Sequence, residues 1–204
     1  MTKILLIIIT GLPGTGKTTL GKKLSQELCL PFISKDDIKE LLFDGLGWSD
    51  IKWSKKIGKS SYDLLYYITE SLLKNNTSLI IETNFDPKFA NQKLTDLKNK
   101  YNFLPFQIRC VADGKILFDR FKKRSQSNKR HPGHLDNKNL EEWEKILSIG
   151  KIELINIGGE IFDIDTTNFD QIDYNKLFTT IKSATNIAPA CRQAGKTAYA
   201  VREK

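Results

Sequence analysis

Residues 11–18, Gly11-Leu12-Pro13-Gly14-Thr15-Gly16-Lys17-Thr18, have the G-x-x-x-x-G-K-[ST] spacing, and its chemistry is the holding of a phosphate chain. Gly11, Gly14 and Gly16 let the backbone curl so that successive N–H groups point inward at an anion. Lys17 would reach the β- and γ-phosphates of a nucleotide, and the Thr18 hydroxyl would ligate Mg²⁺. Thr15 and Thr19 are assigned to the same cradle.

Three further groups of residues could do chemistry beside such a loop. Lys35-Asp36-Asp37 follows a short apolar run, where a carboxylate could serve an acceptor hydroxyl or simply favour a helix start. Leu79-Ile80-Ile81-Glu82-Thr83-Asn84 is an apolar strand ending in an acid, the form of the second phosphate-site element, whose carboxylate holds Mg²⁺. A basic stretch from Arg120 through Lys122, Lys123, Arg124, Lys129, Arg130 and His131 to His134 reads as a lid closing over phosphates, or as a solvated basic helix end. His131 and His134 have no further metal-ligand cluster nearby in the sequence.

These residues need a scaffold. Ile4 to Ile9 is an unbroken, mostly β-branched run suited to a central strand buried on both faces, and Leu20, Leu24 and Leu28 predict a helix over Thr18–Leu28. Strands are predicted at 30–34, 79–84, 103–111 and 161–166. Helices are predicted after Asp37, over about 54–73 with Ile57, Leu64, Leu65, Ile68 and Leu72 inward, and over 87–100, from Asp113, 140–147 and 174–184. Asp36 is placed at the strand–helix junction and Asp37 on the first helical turn as a cap.

With 204 residues and 40% hydrophobic content, the chain suits one α/β domain. Residues 1–185 form that domain, with a lid at about 120–138, and 186–204 read as a loose or extraneous tail. Cys29, Cys110 and Cys191 make no C-x-x-C pair, which suggests neither zinc nor a disulfide framework. The N-terminal apolar run is too short for a signal peptide or a membrane span, so a cytoplasmic location without membrane attachment is expected. The net charge of +8 suits phosphate-rich small substrates, nucleic acid or a lysine-rich surface alike. A guanine-reading Asn-Lys-x-Asp, a Leu-Ser-Gly-Gly signature and a dinucleotide fingerprint are missing, the last because Thr19 stands at the third glycine position.

Taken together, the phosphate loop, Ser34-Lys35-Asp36-Asp37-x-Lys39, Ile80-Ile81-Glu82-Thr83-Asn84 and the arginine-rich stretch resemble P-loop kinases of the polynucleotide 5′-hydroxyl kinase type over about residues 3–185. The resemblance implies a P-loop NTPase three-layer sandwich: a five-stranded parallel sheet with helices on both faces and an arginine-rich lid. It implies ATP and Mg²⁺, and transfer of the γ-phosphoryl to a hydroxyl of a small molecule or a nucleic-acid 5′ end. Asp36 then takes the role of general base, and Lys17, Arg120 and Arg124 stabilise the transferring group. Thr18 and Glu82 hold the metal, while Lys39, Thr83 and Asn84 bind acceptor. Lys39 stands where the family commonly has arginine, and Glu82 where it commonly has aspartate. Zeta-type toxins acting on nucleotide sugars share this fold, and an ATPase or switch without an acceptor is the alternative class.

Overall fold

The structure is a computed structural model that describes residues 3–127 and 130–185. Lys129, Cys191 and the 186–204 tail therefore lie outside the described residues, although the sequence analysis names them. Five strands, β1 (Leu5–Gly11), β2 (Phe32–Ser34), β3 (Leu79–Glu82), β4 (Leu104–Val111) and β5 (Glu160–Asp165), form one parallel sheet in the order β2-β3-β1-β4-β5. Between and after them run α1 (Lys17–Leu28), α2 (Lys35–Leu46), α3 (Ile51–Lys74), α4 (Pro87–Tyr101), α5 (Gly114–Ser125), α6 (Leu140–Leu147) and α7 (Tyr174–Thr185).

All seven residues of β1 are buried because it is central and covered on both faces. Its alternate side chains divide between two cores. Leu5, Ile7 and Ile9 pack with Leu20, Leu24 and Leu28 of α1 and Leu177 and Ile181 of α7. Leu6 and Ile8 face the other way, onto Leu65 and Leu73 of α3 and Ala90, Leu94 and Leu97 of α4. This is the expected three-layer sandwich. A smaller cluster of Leu12, Ala112, Leu117, Phe121 and Leu147 ties α5 and α6 to the phosphate loop. β1 is also the point where the strand order turns, since the chain goes from it toward β3 and β2 on one side and β4 and β5 on the other. The carboxyl end of such a strand is where open α/β sheets bind ligands.

Several boundaries differ from the sequence reading. β2 starts at Phe32, not Leu30, and α3 starts at Ile51, where the Asp50 side chain accepts from Trp53 N–H at 2.7 Å. Leu64, expected inward, is 38% exposed. The buried stripe of α3 runs through Ser54, Ile57, Ser61, Leu65, Thr69 and Leu73. Ser61 and Thr69 enter it because their hydroxyls donate to the carbonyls of Ile57 and Leu65, at 2.7 Å each, so burial leaves no polar group unpaired there. An apolar-only pattern misses them. Part of the stretch expected as a lid is helix: α5 continues to Ser125, so Arg120 and Arg124 are helical residues. Beyond it, Pro132–His134 and Asp136–Asn139 form two 3₁₀ turns before α6. Among the described residues no helix is long and apolar enough to cross a membrane.

Candidate active site

The loop from β1 to α1 has the backbone that its glycines permit. Gly11 has φ +149°, and a Cβ there would stand 2.5 Å from the carbonyl oxygen of Cys110 on the neighbouring strand, so no other residue fits. Gly16 precedes α1 at φ +76°. Thr15 is buried and its hydroxyl donates to Leu12 O at 2.8 Å, closing the turn from inside. Thr19 is exposed on the first turn of α1.

Lys17 donates to Leu12 O at 3.1 Å, and its ammonium lies 4.0 Å from Glu82 Oε1. Burial lowers the Lys17 pKa, opposed by the negative charge of Glu82 and, further off, Asp36. The buried Glu82 carboxylate also accepts from the Thr18 hydroxyl at 3.0 Å and the Ser34 hydroxyl at 2.8 Å, both on Oε2. Ser34 reaches it because β2 and β3 pair Ser34 with Glu82 in register. The sequence motif contains Ser34 without giving it a role; the role comes from that pairing. One carboxylate and two hydroxyls converging at the phosphate loop are a hard oxygen donor set that fits Mg²⁺.

From this floor a cleft of about 970 Å³ opens between α2, α3, the end of β3, the start of α4 and the 130–146 segment. Asp36, Lys39, Thr83 and Asn84 line it; Asp37 does not. α2 begins at Lys35, so Asp36 sits on the first turn beside Asp37 instead of before it, and no side-chain cap bond is made there. The separation of the two acids comes from the 100° step between adjacent helical residues. Burial raises the Asp37 pKa. Lys39 is 9% exposed, donates to Ser54 Oγ at 3.0 Å and runs past Gly58 of α3. Burial, with Lys35 nearby, brings its pKa down to about 8. Thr83 donates to Asn84 Oδ1 at 3.2 Å, and Tyr62 of α3 bonds both residues. Tyr62 and Phe89, the latter 75% exposed at the rim, were not legible as site residues in the sequence.

The three arginines of the basic stretch separate. Arg120 turns away from the cleft: it donates to the carbonyls of Thr166 and Thr167, both at 2.8 Å, and lies 4.0 Å over the Phe169 ring, on the flank of the loop at Gly14 and Gly16. Arg124 lines the cleft with a buried Nε–H that has no partner among the described residues, and Asp136 3.8 Å from its Nη2. Burial, then Arg130, lower its pKa. Arg130, named only as part of the basic stretch, meets Asp36 directly, with Nη1 and Nη2 each donating to Oδ2 at 3.1 Å. Lys35 Nζ donates to Oδ1 at 3.1 Å. Burial opposes the Asp36 charge, but Lys35 and Arg130 outweigh it and hold the carboxyl far below its usual range. The histidines hold the 131–134 turn against α2. His131 stacks on Phe43 at 5.1 Å and lies 3.3 Å from Asp44, while His134 Nε2 is 2.8 Å from Glu40 Oε1. Among the described residues no three His, Cys, Asp or Glu side chains form a metal cluster.

The family model described as AAA domain (AAA_33) matches residues 6–148. A solved structure of a candidate kinase from Chloroflexus aurantiacus J-10-fl is 40% identical, with a TM-score of 0.85, covering 89% of this chain and 98% of that one. The cytidylate kinase of Methanosphaera stadtmanae is 27% identical over 191 residues, 92% of this chain and 97% of the relative. The L-seryl-tRNA(Sec) kinase of Methanococcus maripaludis is 27% identical over 187 residues, 87% of this chain and 64% of the relative.

Proposed function

Because the chain belongs to the AAA domain family AAA_33, with a kinase-like P-loop domain, we propose that it transfers the γ-phosphoryl of ATP to a hydroxyl of a separate acceptor. The observation that carries this reading is the second half of the cleft. Beyond Lys17 and Thr18, Asp36, Lys39, Thr83 and Asn84 line space that nucleotide hydrolysis alone would not need.

In this reading Gly11, Gly14, Thr15 and Gly16 hold the phosphate chain with backbone N–H groups, and Lys17 offsets charge on its outer phosphates. Thr18 and Glu82 hold Mg²⁺, with Ser34 fixing the carboxylate; when bound, the ion neutralises charge on the phosphates. Arg124, already in the cleft with an unpaired N–H, meets the transferring group. Arg120 and Phe169 flank the loop at its nucleoside side. With its pKa held far below the usual carboxylate range, Asp36 orients the acceptor hydroxyl by accepting its hydrogen bond and takes the proton as the new O–P bond forms and the bond from the γ-phosphorus to the β-phosphate oxygen breaks, releasing ADP. Lys39, Thr83 and Asn84 bind the rest of the acceptor.

The polynucleotide 5′-hydroxyl kinase type and the relative named for seryl-tRNA suggest hydroxyl acceptors, whereas the relative named for cytidylate suggests a phosphate-oxygen acceptor, which would need no proton taken by Asp36. The test is an ATP-consumption screen over 5′-hydroxyl oligonucleotides, cytidylate, nucleosides, nucleotide sugars, aminoglycosides, small sugars and seryl-tRNA. Consumption above background with one pool, lost in Lys17→Ala, is expected. Equal consumption with and without every pool favours the alternative, an ATPase without acceptor.

A further inference from the structure

Arg130 has an acceptor for each of the five N–H donors of a guanidinium. Nε donates to Asp136 Oδ2 at 2.9 Å, Nη1 to Asp36 Oδ2 at 3.1 Å and Glu40 Oε1 at 3.3 Å, and Nη2 to Asp36 Oδ2 at 3.1 Å and His134 Nδ1 at 3.0 Å. Since His134 Nδ1 accepts, the ring proton is on Nε2, which donates to Glu40 Oε1 at 2.8 Å. The His134 side chain is only 3% exposed, and Gly133 beside it lies so close to Phe43 that a Cβ would stand 2.7 Å from the ring. The segment carrying Arg130 is thus seated along one stripe of α2: Asp36, Glu40, Phe43 and Asp44.

A carboxylate offers about four lone-pair positions. Arg130 takes both on Oδ2 of Asp36 and Lys35 takes one on Oδ1, which among the described residues leaves one open position on Oδ1. We propose that Arg130, itself oriented by Glu40, His134 and Asp136, is a positioning residue that fixes the Asp36 carboxylate so that Oδ1 alone is presented to the acceptor hydroxyl. The proposal rests on the reading of Asp36 given above. The clamp requires neutral His134, because a proton on Nδ1 would face Arg130 Nη2. The charged groups around that ring are Glu40, Asp36 and Lys39 from α2 and Arg130 from the lid. Burial lowers the His134 pKa and so keeps the ring neutral at ordinary pH.

The test follows the Asp36 side-chain carboxyl by ¹³C NMR, assigned with Asp36→Asn, in wild type, Arg130→Gln and Arg130→Lys. The same proteins are assayed for ATP turnover on the acceptor pools. Removing the guanidinium should raise the Asp36 midpoint by about one unit or more. Turnover should fall by about tenfold to a hundredfold with ATP KM little changed. Arg130→Lys should recover little turnover, because the three donors of an ammonium cannot replace the five of the guanidinium fork. His134→Ala should lower turnover, and His134→Asn, which keeps an acceptor near Nδ1, should regain most of it. A segment that merely props the lid would change acceptor KM and leave the Asp36 midpoint and the Ala/Asn difference flat. An unmoved midpoint, or a moved midpoint with wild-type turnover, overturns the proposal. A moved midpoint in a protein whose Asp36→Asn variant turns over normally overturns the role assigned to Asp36 and leaves the clamp standing.

Discussion

Glu82 accepts two hydroxyl hydrogen bonds on one oxygen and leaves Oε1 4.0 Å from Lys17, so one carboxylate joins the end of β3 to both residues of the loop that would touch phosphate and metal. Glu82→Gln keeps the shape and removes the charge. The Mg²⁺ concentration needed for half-maximal ATP turnover should therefore rise by about tenfold or more, which a magnesium titration reads directly. An unchanged requirement would remove Glu82 from the metal site. Lys17→Ala should abolish transfer and leave the fold intact, since it removes charge from the phosphates and no apolar contact. Turnover and thermal melting measured side by side check this. Lys39 gives a pH signature. Burial lowers its pKa to about 8, so the ammonium is charged below that pH and neutral above it. If it pairs with an acceptor anion, acceptor KM should rise as pH passes about 8, and Lys39→Met should flatten the profile. At this scale the sequence showed Lys17, Thr18, Glu82 and Asp36 because local motifs fix them. Ser34, Tyr62, Glu40 and Arg130 act through partners 21 to 94 residues away, which no local spacing encodes.

Elements decide which of those residues meet. The register Ser34↔Glu82 brings the β2 hydroxyl to the β3 acid, and the α2 turn sends Asp36 to the cleft and Asp37 away from it. α5 was legible from its apolar positions, but its extension to Ser125 places Arg120 and Arg124 one helical turn apart, with Arg120 on Thr166 and Thr167 and Arg124 facing the cleft. The docking of the 130–134 segment on α2 was not legible, because it depends on Gly133 fitting under the Phe43 ring. Gly133→Ala should overpack that contact by about 1–3 kcal/mol and lower Tm by several degrees. Proteolytic cleavage within 126–139 should increase at the same time. Wild-type melting and cleavage would contradict the tight seat of the lid.

Over the whole molecule, β1 at the turning point of the strand order places the phosphate loop between two walls. One is the α1 and α5 side that surrounds the loop, and the other is the α2, α3 and α4 side that bounds the second half of the cleft. The alternation of β1 side chains was readable in advance because a strand buried on both faces leaves an unbroken apolar run. The acceptor side was not, because α3 lines it with Ser54, Gly58 and Tyr62, residue types that carry no single chemistry. The central claim is that phosphoryl leaves ATP for an acceptor and not for water. The most direct measurement incubates the protein with γ-³²P-labelled ATP, Mg²⁺ and the acceptor pools, then separates organic products from inorganic phosphate. The account predicts label in one organic product, lost in Lys17→Ala and reduced about a hundredfold or more in Asp36→Asn. Label that appears only as inorganic phosphate, at one rate whichever pool is present, would contradict it.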